Sequence, residues 1–132
     1  MSKERYKKLL WNDTHSTQNK GQSTEDFAQQ YLVNNGLQYV TKNYRNRQGE
    51  IDIIFLESNV YVFVEVKYRK NNNFGGAISA VTYKKTQKIK QCAKFYLQQN
   101  GLNEYNTPCR FDIIALDGDI NQPQITWLKN AF

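Results

Sequence analysis

The feature that most constrains the fold is a pair of apolar runs between Gly49 and Arg69, GEIDIIFLESNVYVFVEVKYR. Residues 51–56 and 60–66 are rich in Ile, Val, Phe and Tyr and are separated by Glu57-Ser58-Asn59, which predicts two antiparallel strands joined as a β-hairpin. Successive side chains of a strand point to opposite faces. Tyr61, Phe63, Glu65 and Lys67 therefore share one face of the second strand, and Val60, Val62, Val64 and Val66 the other. Both faces stay apolar until the charged pair, as in a strand buried on two sides whose end emerges at a site. With Ser58-Asn59 as a two-residue loop, Glu57 faces Val60, Ile54 faces Phe63, and Asp52 falls opposite Glu65.

Like charges directly opposite on paired strands are destabilising, so this register calls for a compensating group. A hard divalent cation with oxygen ligands, Mg²⁺ or Mn²⁺, would supply it, and Lys67 would meet an anionic substrate from the same face. Phosphodiester hydrolysis needs that set: carboxylates to hold a metal that activates water, and a cation for charge developing on the phosphate. The alternative is a surface hairpin with an ordinary Asp, Glu and Lys at its mouth.

The chain has 132 residues, enough for one domain with a core. Eighteen Lys and Arg against twelve Asp and Glu give a net charge of +6, which favours a polyanionic partner, nucleic acid above all. Arg45 and Arg47 precede the hairpin and Arg69 follows it, where they could contact phosphates that flank a scissile one; solvated loop arginines are the alternative. No apolar run is long enough for a membrane span and the amino terminus lacks a signal-peptide core, so the expectation is a cytoplasmic protein with no membrane partner. Cys92 and Cys109 form no metal-binding spacing and are expected to be free, buried thiols.

Residues 1–22 are polar and basic and read as a flexible tail, leaving 23–132 as a single domain. Ser23 or Thr24 can cap a helix with Glu25 and Asp26 in its first turn, a stripe of Phe27, Ala28, Tyr31 and Leu32, and a stop at Gly36. A strand over 37–44, the hairpin, a loop with the sequence NNNFGGA, a mainly helical segment over 77–99 and a second strand pair (109–116 and 124–128) complete the order. The helical segment buries Ile89, Cys92, Ala93, Tyr96 and Leu97, and Asp112 is read as the partner of a neighbouring base. This order predicts an α/β fold with a central mixed sheet flanked by helices.

Asp52 followed by Glu65-Val66-Lys67 resembles the D…(D/E)xK site of the restriction-endonuclease-like nuclease superfamily, which includes the Holliday-junction resolvases. More closely, GEIDII, VFVEVKYR, RFDII and the terminal NAF resemble the YraN family of endonuclease-like proteins. Ile51 stands where the superfamily pattern often has Pro. The resemblance implies a restriction-endonuclease-like core and a Mg²⁺-dependent endonuclease acting on DNA, on branched, flapped or damaged structures. In that reading Asp52 and Glu65 hold the metal with the Val66 carbonyl, and Glu25 completes the shell from the first helix. Lys67 positions water, and Lys85 reaches a phosphate. Resolvase-like cutting of two strands would require a homodimer. The alternative implied function is a catalytically silent nucleic-acid-binding or partner-docking module on the same fold.

Overall fold

The computed structural model describes residues 20–71 and 75–132, with the backbone alone for 20–23. In chain order the elements are α1 (Lys20–Asn34), β1 (Gln38–Asn46), β2 (Gly49–Glu57), β3 (Val60–Arg69), a 3-10 turn (Ile78–Ala80), α2 (Tyr83–Gln99), β4 (Cys109–Asp117) and β5 (Gln124–Leu128). The strands form one sheet in the order β1-β2-β3-β4-β5. Neighbours are antiparallel except β3 and β4, which run parallel with α2 between them in the chain, because parallel partners need a crossover and not a turn. The fold is α/β, a mixed sheet with a helix on each face, as expected.

Apolar periodicity decides which face each helix covers. Phe27, Ala28 and Leu32 of α1 pack on Ile53, Phe55, Val62, Val64 and Val66, while the five stripe residues of α2 pack on Ile51, Ile54 and Phe63. Both helices end in the same way. Leu37 and Gly36 donate N–H bonds to Leu32 and Val33 carbonyls, and Leu102 and Gly101 do so to Leu97 and Gln98. Gly36 (φ 98°) and Gly101 (φ 73°) take the left-handed conformation this ending needs, which glycine adopts without a Cβ penalty.

Several expectations need correction. The helix α1 starts at Lys20, ahead of the Ser23/Thr24 cap, so Glu25 and Asp26 lie beyond its first turn and Thr24 is buried inside the helix. Asp26 turns its carboxylate to Lys42 of β1 at 2.7 Å, a tertiary pairing that overrides the local preference for a first-turn acid. Residues 20–22 of the expected tail thus belong to α1, and residues 1–19 lie outside the described residues. The segment 77–99 is mainly helical, as expected, with a break between the 3-10 turn and α2. Val81 is extended, and Thr82 caps α2, its hydroxyl accepting the Lys85 N–H at 3.2 Å. In the loop after β3, residues 72–74 lie outside the described residues, and Ala77 N–H is tied to Asp117 at 2.8 Å. Cys92 is buried, but Cys109, at the first position of β4, is only half-buried.

Asp112, by contrast, behaves as read. It is fully buried and accepts hydrogen bonds from Arg110 Nε (3.1 and 3.2 Å), Trp127 Nε1 (3.0 Å) and the Asn130 N–H (2.9 Å). Arg110 also reaches Glu57 at 2.6 Å, so its guanidinium joins β4 to β2, and the Asp112 carboxylate carries the link on to Trp127 of β5. Among the described residues no helix is long and apolar enough to cross a membrane.

Candidate active site

The hairpin turns at Ser58-Asn59 with Ser58 in the left-handed region (φ 55°), and Glu57 faces Val60 and Ile54 faces Phe63, the expected register. The β2–β3 ladder then ends at Ile53 opposite Val64. Beyond that pair β2 remains joined to β1 as far as Gly49, and β3 to β4 as far as Arg69, so the sheet forks. The Val66 N–H donates into the fork, to Asp52 Oδ2 at 2.8 Å.

Side-chain alternation slips by one residue at the same place. Ile53 and Phe55 face the α1 core, whereas Ile51 and Ile54 both face the α2 core. In β1 the matching change falls at Asn43 (φ 55°), with Lys42 directed to Asp26 of α1 and Tyr44 packed edge-on against Tyr96 of α2. A non-glycine residue in this region within a strand is uncommon, and such strain clusters at functional sites. The Asn43 side chain is hydrogen-bonded to Glu25.

Asp52 and Glu65 meet in the fork, their carboxyl groups hydrogen-bonded to each other. Burial, followed by the charge and hydrogen bond of Glu65, pushes the Asp52 pKa up to about 9, with the Val66 N–H working the other way. Glu65 is 2% exposed. Lys85 Nζ lies 2.7 Å from Glu65 Oε2 as an ion pair, off the direction of a well-formed hydrogen bond. Burial works against the Lys85 ammonium, yet Glu65 and Asp52 hold its pKa above the usual lysine value. The pair lies in a cleft of about 340 Å³ between β2 and the first turns of α2, rimmed by Glu50, Thr82, Lys84 and Lys88. Glu25 is half-buried on α1. Burial and then Glu50 raise its pKa, and its charge reaches Asp52.

The donor set suits a hard divalent cation. Both groups offer oxygen, Asp52 has no ion-pair partner among the described residues, and Glu65 Oε2 is an under-satisfied buried acceptor. Among the described residues no three His, Cys, Asp or Glu stand close enough to bind one ion. Mg²⁺ is commonly held by one or two carboxylates, with water and phosphate oxygens completing the shell, and two carboxylates in an open cleft fit that pattern.

The remaining expected residues sit around this centre or apart from it. Lys67 shares the Glu65 face of β3 by alternation and lies half-buried opposite Ala115, but it is not among the residues lining the cleft. Lys85 occupies the cationic position beside Glu65. Arg45 is exposed and paired with Glu50 at 3.2 Å. Arg47, in the β1–β2 turn, borders a separate hollow with Phe95. Arg69 ends β3, exposed, opposite Asp117. Glu50 was not singled out from the sequence; it stands two residues before Asp52, and that interval was the available signal. Lys84 and Lys88 belong to the same lysine-rich stretch of α2 as Lys85.

A titration of stability tests the fork. Asp52 stays protonated in the folded protein up to about pH 9, whereas in the unfolded chain it ionises above about pH 4. Between those limits the folded state holds the extra proton, so the stability Asp52 contributes is full below about pH 4 and declines as pH rises. In metal-free buffer, Asp52→Asn should flatten the fall in urea midpoint between about pH 5 and 8; parallel curves for both proteins would reject the assignment.

A family model described as Uncharacterised protein family UPF0102 matches residues 24–116. Similar curated proteins include a "UPF0102 protein" of Colwellia psychrerythraea, 60% identical over 129 residues, covering 94% of this chain and 100% of the relative. Another, from Legionella pneumophila, is 47% identical over 116 residues and covers 88% of this chain and 96% of its own length. Among solved structures, that of Pyrococcus furiosus SfsA in complex with Ca²⁺ aligns with a TM-score of 0.31 and 13% identity, over 86% of this chain and 64% of that one.

Proposed function

The chain belongs to the UPF0102 family, the YraN family its motifs resemble, and on that premise we propose that it is a metal-dependent endonuclease that hydrolyses phosphodiester bonds in DNA. The observation that carries this reading is the convergence of Asp52 and Glu65 where β2 and β3 part, two buried carboxyl groups set against each other with a lysine-rimmed cleft in front.

Asp52 and Glu65 would hold Mg²⁺ or Mn²⁺ together with the Val66 carbonyl, and Glu25 would orient the shell through Asn43 and its charge on Asp52. A bound ion of this kind lowers the pKa of water and takes up charge on a phosphoryl oxygen. The Val66 N–H fixes the Asp52 carboxyl in the fork. Lys85 balances Glu65 in the resting protein and turns to the phosphate when substrate brings its own negative charge. Lys67, which has no ion-pair partner among the described residues, positions water and the phosphate from the Glu65 face of β3. Arg45, Arg47 and Arg69 contact flanking phosphates, which set orientation without reading sequence. Action on branched or flapped substrates, and a homodimer for paired cuts, rest on the resemblance to the resolvases.

A second reading, a nucleic-acid-binding module without catalysis, is favoured by one observation: Lys85 already supplies a countercharge to Glu65, and among the described residues no third acid stands close enough to share one ion with the pair. Metal linkage and turnover separate the two. Mn²⁺ should raise the melting temperature of the wild type by mass action, Asp52→Asn should lose that increment, and at least one of duplex, flap, junction and single-stranded DNA should be cut. No metal-dependent stabilisation and no cleavage across the panel would transfer the assignment to the binding module.

A further inference from the structure

Two further hollows, of about 360 and 500 Å³, follow the cleft along the outer face of α2. Tyr83, Lys84, Gln87 and Lys88 line the first with Gln48, and Arg47 and Phe95 line the second with the same Gln48. Lys84 and Lys88 also rim the cleft, so the three depressions form one path. On a helix of 3.6 residues per turn, Tyr83, Gln87, Gln91, Lys84, Phe95 and Lys88 fall within an arc of about 140°, and Tyr83 and Phe95 stand about 18 Å apart along the axis.

The path has the wrong chemistry for a merely solvated helix face. Among the described residues no carboxylate lines either hollow. Arg47, Lys84 and Lys88 have no ion-pair partner among the described residues, whereas cations elsewhere on α2 are engaged: Lys94 with Glu104 at 3.3 Å, Lys90 over the Phe132 ring at 6.0 Å and Lys85 with Glu65. Tyr83 is 79% exposed and Phe95 40%, and neither ring stacks on another among the described residues. Both contribute little to the core, so their exposure is not explained by packing.

Aromatic platforms interleaved with cations along a groove are how proteins take up single strands, whose bases offer free π-faces. A duplex would satisfy the cations and leave the rings without partners. We infer that this path binds a single-stranded nucleic-acid segment of about five nucleotides at the stacked spacing of about 3.4 Å, running from Phe95 past Tyr83 into the Asp52–Glu65 cleft. The substrate would then be a flap or a junction with an unpaired arm, cut where the arm enters the cleft. That last step rests on the nuclease reading; occupancy of the path does not.

The test is binding under conditions where chemistry is silent. Full-length protein carrying Asp52→Asn, in EDTA, is titrated by anisotropy against labelled oligo-dT and oligo-rU of about twelve nucleotides and a blunt duplex of equal length, sizes that span the path. The single strands should bind at least about ten-fold tighter than the duplex, the preference between dT and rU identifying the sugar recognised, and each base should be worth roughly that factor in stacking. Tyr83→Ala with Phe95→Ala should remove the preference, Tyr83→Trp should retain it, and Arg47→Glu with Lys88→Glu should abolish binding of both forms. Equal affinity for single strand and duplex, or an unchanged preference without the two rings, would overturn the inference even if the wild type cuts duplex DNA. Preserved single-strand binding in a protein that cuts nothing would defeat the nuclease reading and leave the path standing.

Discussion

Glu65→Gln should lower turnover of a flap or junction substrate by a factor on the order of 10² or more at saturating Mn²⁺, the loss seen when one preorganised electrostatic group is removed, while leaving affinity for that substrate within a few-fold. The two effects separate because of where Glu65 sits. Its side chain is buried in the fork against Asp52, and of the cations that would hold the strand it pairs with Lys85 alone. The amide keeps the size of the side chain and can still hydrogen-bond Asp52, but removes the ligand charge. With that charge gone, Asp52 loses a principal cause of its raised pKa, and Lys85 is released towards solvent and substrate. Binding should therefore hold or strengthen slightly as repulsion of the phosphate is relieved. Lys67→Ala is the less clean probe, since removing a cation weakens binding and catalysis together. Equal turnover by wild type and Glu65→Gln would place any observed cleavage elsewhere, in a contaminant or a different site.

The largest effect on stability is expected far from the cleft, at Asp112. Replacing it with Ala should cost about 3–5 kcal/mol, the range for breaking a buried ion pair by deleting one partner. The carboxylate is fully buried and holds the Arg110 guanidinium, the Trp127 indole N–H and the Asn130 N–H. Alanine strands all three donors, and only Arg110 has a second anion, Glu57, to turn to. Asp112→Asn should fall between, since its amide oxygen can still accept one of these bonds. The measurement is the urea midpoint of each variant at constant m-value. A loss under about 1 kcal/mol for Asp112→Ala would mean that water replaces the carboxylate and that the network contributes little.

The sequence carried the hairpin and its register because a two-residue loop and a period of two leave no freedom once one face is apolar. The same logic set the buried stripe of α2 from Ile89 to Leu97. It failed where a tertiary partner decides the outcome. Asp26 looked like a first-turn acid until Lys42 was brought to it from β1. At the fork, alternation correctly brought Asp52 to Glu65 but could not register the slip at Asn43 and Ile51, which arises from how three strands diverge and not from any one of them. Cation placement was the least legible part. Arginines near the hairpin in sequence turned out to border or lie outside the cleft. The cleft's cations, Lys84, Lys85 and Lys88, come from a helix later in the chain; the family resemblance had pointed to Lys85, but only the crossover between parallel strands sets the juxtaposition.

The fork also divides the molecule into parts that need not open together. From Ile53 to Leu56, β2 is held by ladders on both sides, but from Gly49 to Asp52 its only backbone ladder is with β1. Backbone bonded on one side belongs to the low end of the local-opening scale, while the doubly paired centre opens only with the whole domain. The two carboxylates thus sit across a seam between an arm laddered on one side, which carries Asp52, and the central strand, which carries Glu65. A ligand bridging them would register first as slowed amide exchange over residues 49–52, a sub-global event that would leave the core's own exchange unchanged.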